Sequence, residues 1–262
     1  MMTLVKHELK QGFLSFVIWF VSIAFMMAIC IILFPEMKGQ MEDVGDVFSS
    51  MGAFTAAFGM DRLNFGSLIG FYGVECGNIL GLGGGLYASL TATSFLSKEE
   101  KDKTAEFLLS QPISRIRIIS EKLLALMIEI TVMNLLIYLV ALGSIAFIGE
   151  EIPFKEITLI HLAYYLLQVE LASICFGISA FLRKGGLSIG IGLAIMFYFL
   201  NIIANIAESV KFLKYLTPFG YCEAADIIES GAIDLKYLAV GIILALIGIA
   251  LAYLKYPKKD IH

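Results

Sequence analysis

The stretch FLSFVIWFVSIAFMMAICIILF, residues 13–34, runs for 22 residues without a single charge. As an α-helix it would extend roughly 33 Å, enough to cross the hydrocarbon core of a bilayer. Lys6, His7 and Lys10 precede it, as basic residues precede a signal peptide. The run is longer than a signal-peptide core, however, and no A-x-A cleavage site follows. The expectation is an uncleaved first span, preceded by a short amphipathic helix over residues 3–11 lying on the membrane surface.

Composition extends this reading to the whole chain. Of 262 residues, 59% are hydrophobic and 16% charged, and the mean hydropathy is +0.86. Soluble domains average about 45–50% apolar and about 25% charged residues. A soluble enzyme and a disordered chain are therefore excluded, and a net charge of −4 argues against nucleic acid as a partner. Five more apolar runs follow, at about 67–95, 123–148, 157–182, 187–207 and 237–254. The predicted fold is an all-α polytopic membrane protein, residues 1–262 forming one domain with six transmembrane helices.

Lys and Arg set the orientation. Thirteen lie on the side of the N-terminus, the 97–122 loop, Arg183 and Lys184, and the tail; six lie opposite. Both termini are expected to be cytoplasmic, and residues 35–64 and 208–236 external. Within 35–64, Met37, Met41, Val44, Phe48 and Met51 recur at helical spacing. Within 208–236, Pro218-Phe219-Gly220 divides two short halves.

Soluble chemistry is missing. No GxxxxGK[ST] phosphate loop and no HExxH occur, and the histidines are His7, His161 and His262. The cluster Gly81-Leu82-Gly83-Gly84-Gly85 lies inside the second span and lacks the lysine. Gly73, Gly77, Gly81, Gly85 and Ser89 instead lay a small-residue stripe along one helix face, as close helix packing requires. Cys30, Cys76, Cys175 and Cys222 have no metal or disulfide spacing and read as buried thiols. No catalytic residue, cofactor or metal site is expected.

Three carboxylates fall within spans: Glu75, Glu129 and Glu170. An ionisable group in the membrane is costly and points to function by default. Glu75 reads equally as a solvated helix end. Glu129 and Glu170 are candidates for a translocation pathway. Asn201 and Asn205, one turn apart, could line the same path or bond to a neighbouring helix.

The 97–122 loop carries the most specific signal. Acids and bases crowd Lys98 to Lys103, Thr104 is positioned to cap a short helix, Phe107, Leu108 and Leu109 give it an apolar patch, and Pro112 stops it. Ser114 can cap the next helix. An apolar patch held outside the bilayer by charges needs a cover: a partner, or else the membrane surface or neighbouring helices. Here the sequence resembles the permease subunits of ABC-2 type transporters. Their signature is similar to Thr104, Glu106, Leu108, Leu109, Pro112, Ile113, Ser114 and Arg115, with Lys103 where a glycine often precedes the threonine. Leu213, Tyr215, Leu216, Pro218 and Phe219 resemble the family's element between spans five and six.

The resemblance implies the membrane half of an ATP-driven exporter in a prokaryotic cytoplasmic membrane, paired with an identical or related permease. Cytoplasmic ATPase subunits carrying ATP and Mg would dock on a coupling helix through Glu99, Glu100, Thr104, Glu106, Phe107, Leu108, Leu109, Pro112 and Arg115, and on the 3–11 surface helix. The 208–236 element would form an external re-entrant helical hairpin, with Tyr215, Pro218 and Phe219 at an outer gate. Cargo would be an amphiphile such as a peptide, antibiotic or lipid. The alternatives are an ion-coupled transporter or channel using Glu129 and Glu170, and a scaffold or sensor subunit without transport.

Overall fold

The structure, a computed structural model, describes residues 3–50, 52–183 and 186–259, with the backbone alone at 40–50, 107, 109 and 208. Among the described residues the chain is helical, without strands. Five helical stretches are long and apolar enough to cross a membrane: Thr3–Gly39, Arg115–Ile148, Phe154–Ser179, Leu187–Ile206 and Leu235–Lys258.

The first helix, α1 (Thr3–Ser50), is continuous. The surface helix expected at 3–11 is not a separate element, and the reason is local. Only Gly12 stands between it and the apolar run, and a glycine costs a helix about 1 kcal/mol, too little to end it. The first turns also have protein beneath them. Leu4 and Val5 are buried, and the Leu4 N–H donates to Glu121 Oε2 at 3.1 Å. Pro35 lies inside the same helix, which continues into the external segment expected to begin there. Of the residues whose periodicity suggested an amphipathic helix, Met41, Val44, Phe48 and Met51 fall outside the described side chains.

After α2 (Ala53–Ala57), the second apolar run forms α3 (Leu68–Asn78), a π-helical segment (Ile79–Gly84) and α4 (Gly85–Ser94). Ser67 caps α3, its Oγ accepting from the Gly70 N–H at 3.2 Å. A π turn leaves carbonyls without their usual partners, a debt that apolar surroundings make costly. The Leu80 carbonyl, within the π segment, accepts from Gln168 Nε2 at 3.4 Å, and Gln168 Oε1 accepts from Asn134 Nδ2 at 2.8 Å. Two short helices, α5 (Lys98–Lys101) and α6 (Ala105–Ser110), then lead into α7 (Arg115–Ile148). Ser114 caps α7 as expected, through the Arg117 N–H.

The central helix is α8 (Phe154–Ser179), two thirds of whose apolar window is buried. The stripe Gly73, Gly77, Gly81 and Gly85 lies against it and its neighbours: a Cβ at Gly77 or Gly81 would meet the Tyr164 ring, and one at Gly85 would meet Leu171. Against its other side packs α11 (Leu235–Lys255). There the backbones touch, since a Cβ on Gly177 would stand 2.3 Å from the Gly248 carbonyl oxygen. Helices α1, α9 (Leu187–Ile206) and α11 are peripheral and leave rows of large apolar side chains exposed, such as Phe25, Phe199 and Leu246. Cys76, Cys175 and Cys222 are buried free thiols and Cys30 is half-buried.

Gly177→Ala should therefore be markedly destabilising, because a backbone carbonyl cannot yield as a side-chain end can; overpacking of this kind costs about 1–3 kcal/mol. Gly192→Ala on α9, where a Cβ would meet nothing within 4 Å, should be neutral or stabilising. Thermal unfolding of both variants in detergent decides the matter: equal midpoints would mean that the α8–α11 contact is not close.

Candidate functional site

The expected docking loop is held by ion pairs that the sequence does not announce. Lys122, near the start of α7, is completely buried. Its ammonium donates to the Phe95 carbonyl at 2.6 Å and to Glu99 Oε1 at 2.5 Å, and lies 3.1 Å from Glu8 Oε1. Glu8 also pairs with Lys98, whose ammonium donates to Gln11 Oε1 at 2.9 Å. On the far side of the loop, Glu100 pairs with Lys259, and Lys259 donates to the Leu182 carbonyl. Arg115 donates to the carbonyls of Pro257 (3.1 Å) and Lys259 (2.6 Å). One junction thus ties α1, the loop, the start of α7 and the tail.

Glu99, Glu100 and Arg115 consequently point to partners within the chain. Lys101, Asp102, Lys103, Thr104, Glu106 and Pro112 are exposed, while Leu108 is half-buried and packs on the cluster containing Phe95, Leu96 and Ile118. The side chains of Phe107 and Leu109 are outside the described residues. Thr104 stands at the N-cap of α6, but its side chain makes no capping bond. Lys103 alone among the described non-glycine residues has a positive φ, +57°. That left-handed conformation is one that glycine adopts freely and that costs another residue roughly 1–2 kcal/mol.

The polar groups within the spans divide into separate places. Glu129, 5% exposed, lines a cavity of about 300 Å³ with Glu8, Gly12, Trp19, Tyr87 and Lys98. Glu170 is buried between α8 and α11, its carboxyl against the Cα of Gly241 and facing the Tyr221 hydroxyl. Asn201 is half-buried beside Asn78 and Tyr198. Asn205, a turn further, donates to Glu223 Oε2 at 2.7 Å. Glu129, Glu170 and the asparagine pair do not meet at one site. Glu75 is half-buried. His161 is a core imidazole, its Nε2 2.5 Å from the Tyr72 hydroxyl.

The 208–236 element consists of 3₁₀ segments Glu208–Leu216 and Pro218–Tyr221, followed by α10 (Ala224–Ser230). Thr217 makes the break: its Oγ1 donates to the Phe197 carbonyl at 2.8 Å and accepts from the Phe219 N–H at 3.2 Å. Pro218 and Phe219 are buried, Phe219 edge-on to Tyr198 at 5.6 Å and seated over Gly81 and Gly85. Tyr215 is exposed against the Tyr237 ring. Beside this element a cleft of about 760 Å³ is spanned by Arg62, which binds Asp226 at 2.6 Å and forks onto Glu229. Burial pushes the Glu223 carboxyl above the usual carboxylate range, against the pull of Lys214 and Asn205. Burial acts on Asp226 in the same sense, but hydrogen bonds and charge from Arg62 and Lys214 hold it below that range.

Two outcomes follow from the junction. Lys122→Met strands Glu99 and leaves Glu8 with Lys98 alone, and should cost about 3–5 kcal/mol, whereas Lys38→Ala, which breaks the more exposed pair with Glu150, should cost no more than about 1 kcal/mol. Lys103→Gly should raise stability by roughly 1 kcal/mol by relieving the left-handed backbone. Unfolding midpoints in detergent test both, and a Lys103→Gly protein less stable than the parent would overturn the second.

The geometry so far is a set of apolar helices around α8, with a braced charged loop between the second and third apolar runs. Comparison with known proteins bears directly on it. No curated protein matches the chain. The family described as ABC-2 family transporter protein matches residues 2–261. That match takes in nearly every residue, and the chain belongs to the ABC-2 family of transporter proteins, a family of membrane-embedded permease subunits.

Proposed function

We propose that this chain is the permease subunit of an ATP-driven exporter in a prokaryotic cytoplasmic membrane, working with a second permease copy or relative and with separate ATPase subunits that hold ATP and Mg. In this reading the helical path α3–π–α4 is also a span, the second in chain order, which brings the number to six, and both termini and the 97–122 loop are cytoplasmic. The bracing of that loop is the observation that carries the proposal. A free loop would absorb the motion of a docked ATPase. A loop joined through Glu99–Lys122–Glu8 and Glu100–Lys259 passes the same displacement to α1, α7 and the tail together.

The docking surface is then the exposed face around Thr104, Glu106 and Pro112, with Phe107, Leu108 and Leu109 as the apolar residues the sequence offers it (Leu108 already half covered by the chain itself), while Glu99, Glu100 and Arg115 fix the loop's position. Fully burying an apolar anchor contributes about 1.5–3 kcal/mol, and rim charges such as Glu106 set orientation more than affinity. Residues 208–236 act as the re-entrant outer gate, closed by Pro218 and Phe219 with Tyr215 at its edge. Glu129, Glu170, Asn201 and Asn205 are the polar points of a pathway for an amphiphilic cargo. The separation of Glu129 from Glu170 gives no support to one ion site shared by the two.

Phe107→Ala combined with Glu106→Lys should reduce ATPase recovery in pull-down, and ATP turnover in nanodiscs, by tenfold or more without disturbing membrane insertion. Both remaining at parental levels would show that docking occurs elsewhere. Orientation has its own check. Single cysteines placed at Glu42 and Glu151 in a cysteine-free background should react with an impermeant external maleimide, and those at Lys103 and Lys258 should not. External labelling at Lys103 would invert the whole arrangement.

A further inference from the structure

The 300 Å³ cavity between α1, α4 and α7 has an uncommon combination of groups. Glu129 Oε1 is buried and has no hydrogen-bond partner among the described residues, and Glu129 Oε2 receives only a long 3.4 Å bond from the Tyr87 hydroxyl. The carboxyl reaches this position because Gly12 has no side chain: a Cβ there would lie 2.5 Å from Oε1. The other charges on the wall are already matched, Lys98 with Glu8 and Gln11, and Glu8 with Lys122 as well. Glu129 is therefore the one lining charge with no ion pair of its own among the described residues. Beside it stand Trp19 and Tyr87, their ring centroids 6.1 Å apart and their planes inclined at 53°.

A carboxyl shut away from water must meet a counter-charge or a hydrogen bond, or else keep its proton; a cation arriving beside it favours the charged form. Two inclined aromatic faces next to it attract a cation through their ring quadrupoles and repel an anion. Leu90, Phe95 and Leu187 add apolar surface to the wall and Thr91 and Ser94 add hydroxyls, while Gln11 and Ser15 at its edge are exposed. The volume holds a head group and the first carbons of a chain, the lower end of the range for small-molecule sites.

We infer that this cavity binds the ammonium head of an amphiphile, with Glu129 as counter-ion, Trp19 and Tyr87 as the aromatic wall, and Gly12 as the gap that admits the carboxyl. Read together with the proposed permease function, on which that consequence rests, it makes the cargo class a cationic amphiphile. The same head group could come from a free organic cation or from an amine-bearing lipid.

Trp19 is the only tryptophan in the chain, so its fluorescence reports this wall alone. The full-length protein in phosphatidylglycerol nanodiscs is titrated with decyltrimethylammonium, and in parallel with uncharged decyl maltoside. The ammonium probe should change Trp19 emission saturably, the maltoside should not, and Glu129→Gln should raise the half-saturation concentration at least tenfold. An equal response to both probes, or an unshifted titration of Glu129→Gln, would overturn the proposal. If Glu129→Gln fails to fold, the comparison of the two probes on the parent protein still decides. Repeating the titration with phosphatidylethanolamine in the disc separates the sources: competition assigns the site to a lipid amine, and an unchanged titration assigns it to a free cation. No ATPase takes part, so failure here leaves the docking pull-down standing, and failure of that pull-down leaves this binding result standing.

Discussion

Helices surrounded by hydrocarbon gain nothing from hiding apolar surface from one another. They associate where backbones can come close and where polar groups can be matched internally. In this chain both conditions converge on α8. Gly248 on α11 meets its backbone, the glycines along α3–π–α4 seat its Tyr164, Gln168 and Leu171 side chains, and Gln168 supplies the donor that the widened π segment requires. Remove α8 and α11 loses its backbone contact while the Leu80 carbonyl loses its partner. Of the peripheral helices, α9 and α11 turn inward small residues such as Gly190, Ala194, Gly241 and Ala245, whereas α1 turns inward large ones, Ile23, Met27, Ile31 and Phe34.

The charged junction answers a different constraint. Burying an ion pair seldom adds stability over an apolar contact of equal volume, since desolvation offsets most of the attraction. What such pairs do give is a single arrangement, because any displacement strands a charge. Lys122 faces two carboxylates from two different elements, so α1 and the loop cannot shift independently of α7. A subunit that relays motion benefits from this intolerance more than from a few kcal/mol.

Much of this was legible in the sequence, and the divide falls along range. Periodicity and hydropathy are local, so the apolar runs, the cap at Ser114, the glycine stripe and the break at Pro218 could all be read directly. The departure at Lys103 was also visible as an oddity, and its left-handed backbone supplies the reason a glycine suits that place. Long-range pairing was not legible. Glu99, Glu100 and Arg115 look like surface charges in a polar loop, and nothing local points to Lys122, Lys259 or the tail carbonyls. The unbroken α1 was missed for a related reason: a change from polar to apolar residues marks where an environment changes, and a helix can pass through it. Nothing local in the sequence marks Trp19 and Tyr87; it is the fold that sets them beside Glu129.

The π segment carries a consequence for insertions and deletions. A π turn holds one residue more than an α turn, so removing a single glycine between Ile79 and Gly84 would let the helix close up into regular α geometry and relieve the local backbone. The relief would bring almost no rotation. The six residues of the π segment turn about as far as five residues of α-helix do at about 100° each, so everything beyond the deletion would keep nearly the same face toward its neighbours. Ser89 would still face Gly190, and Gly85 would still face Leu171. The widened turn therefore absorbs one residue without rotating the second half of the span, and chain length is more tolerant of a single deletion there than in the regular helix on either side.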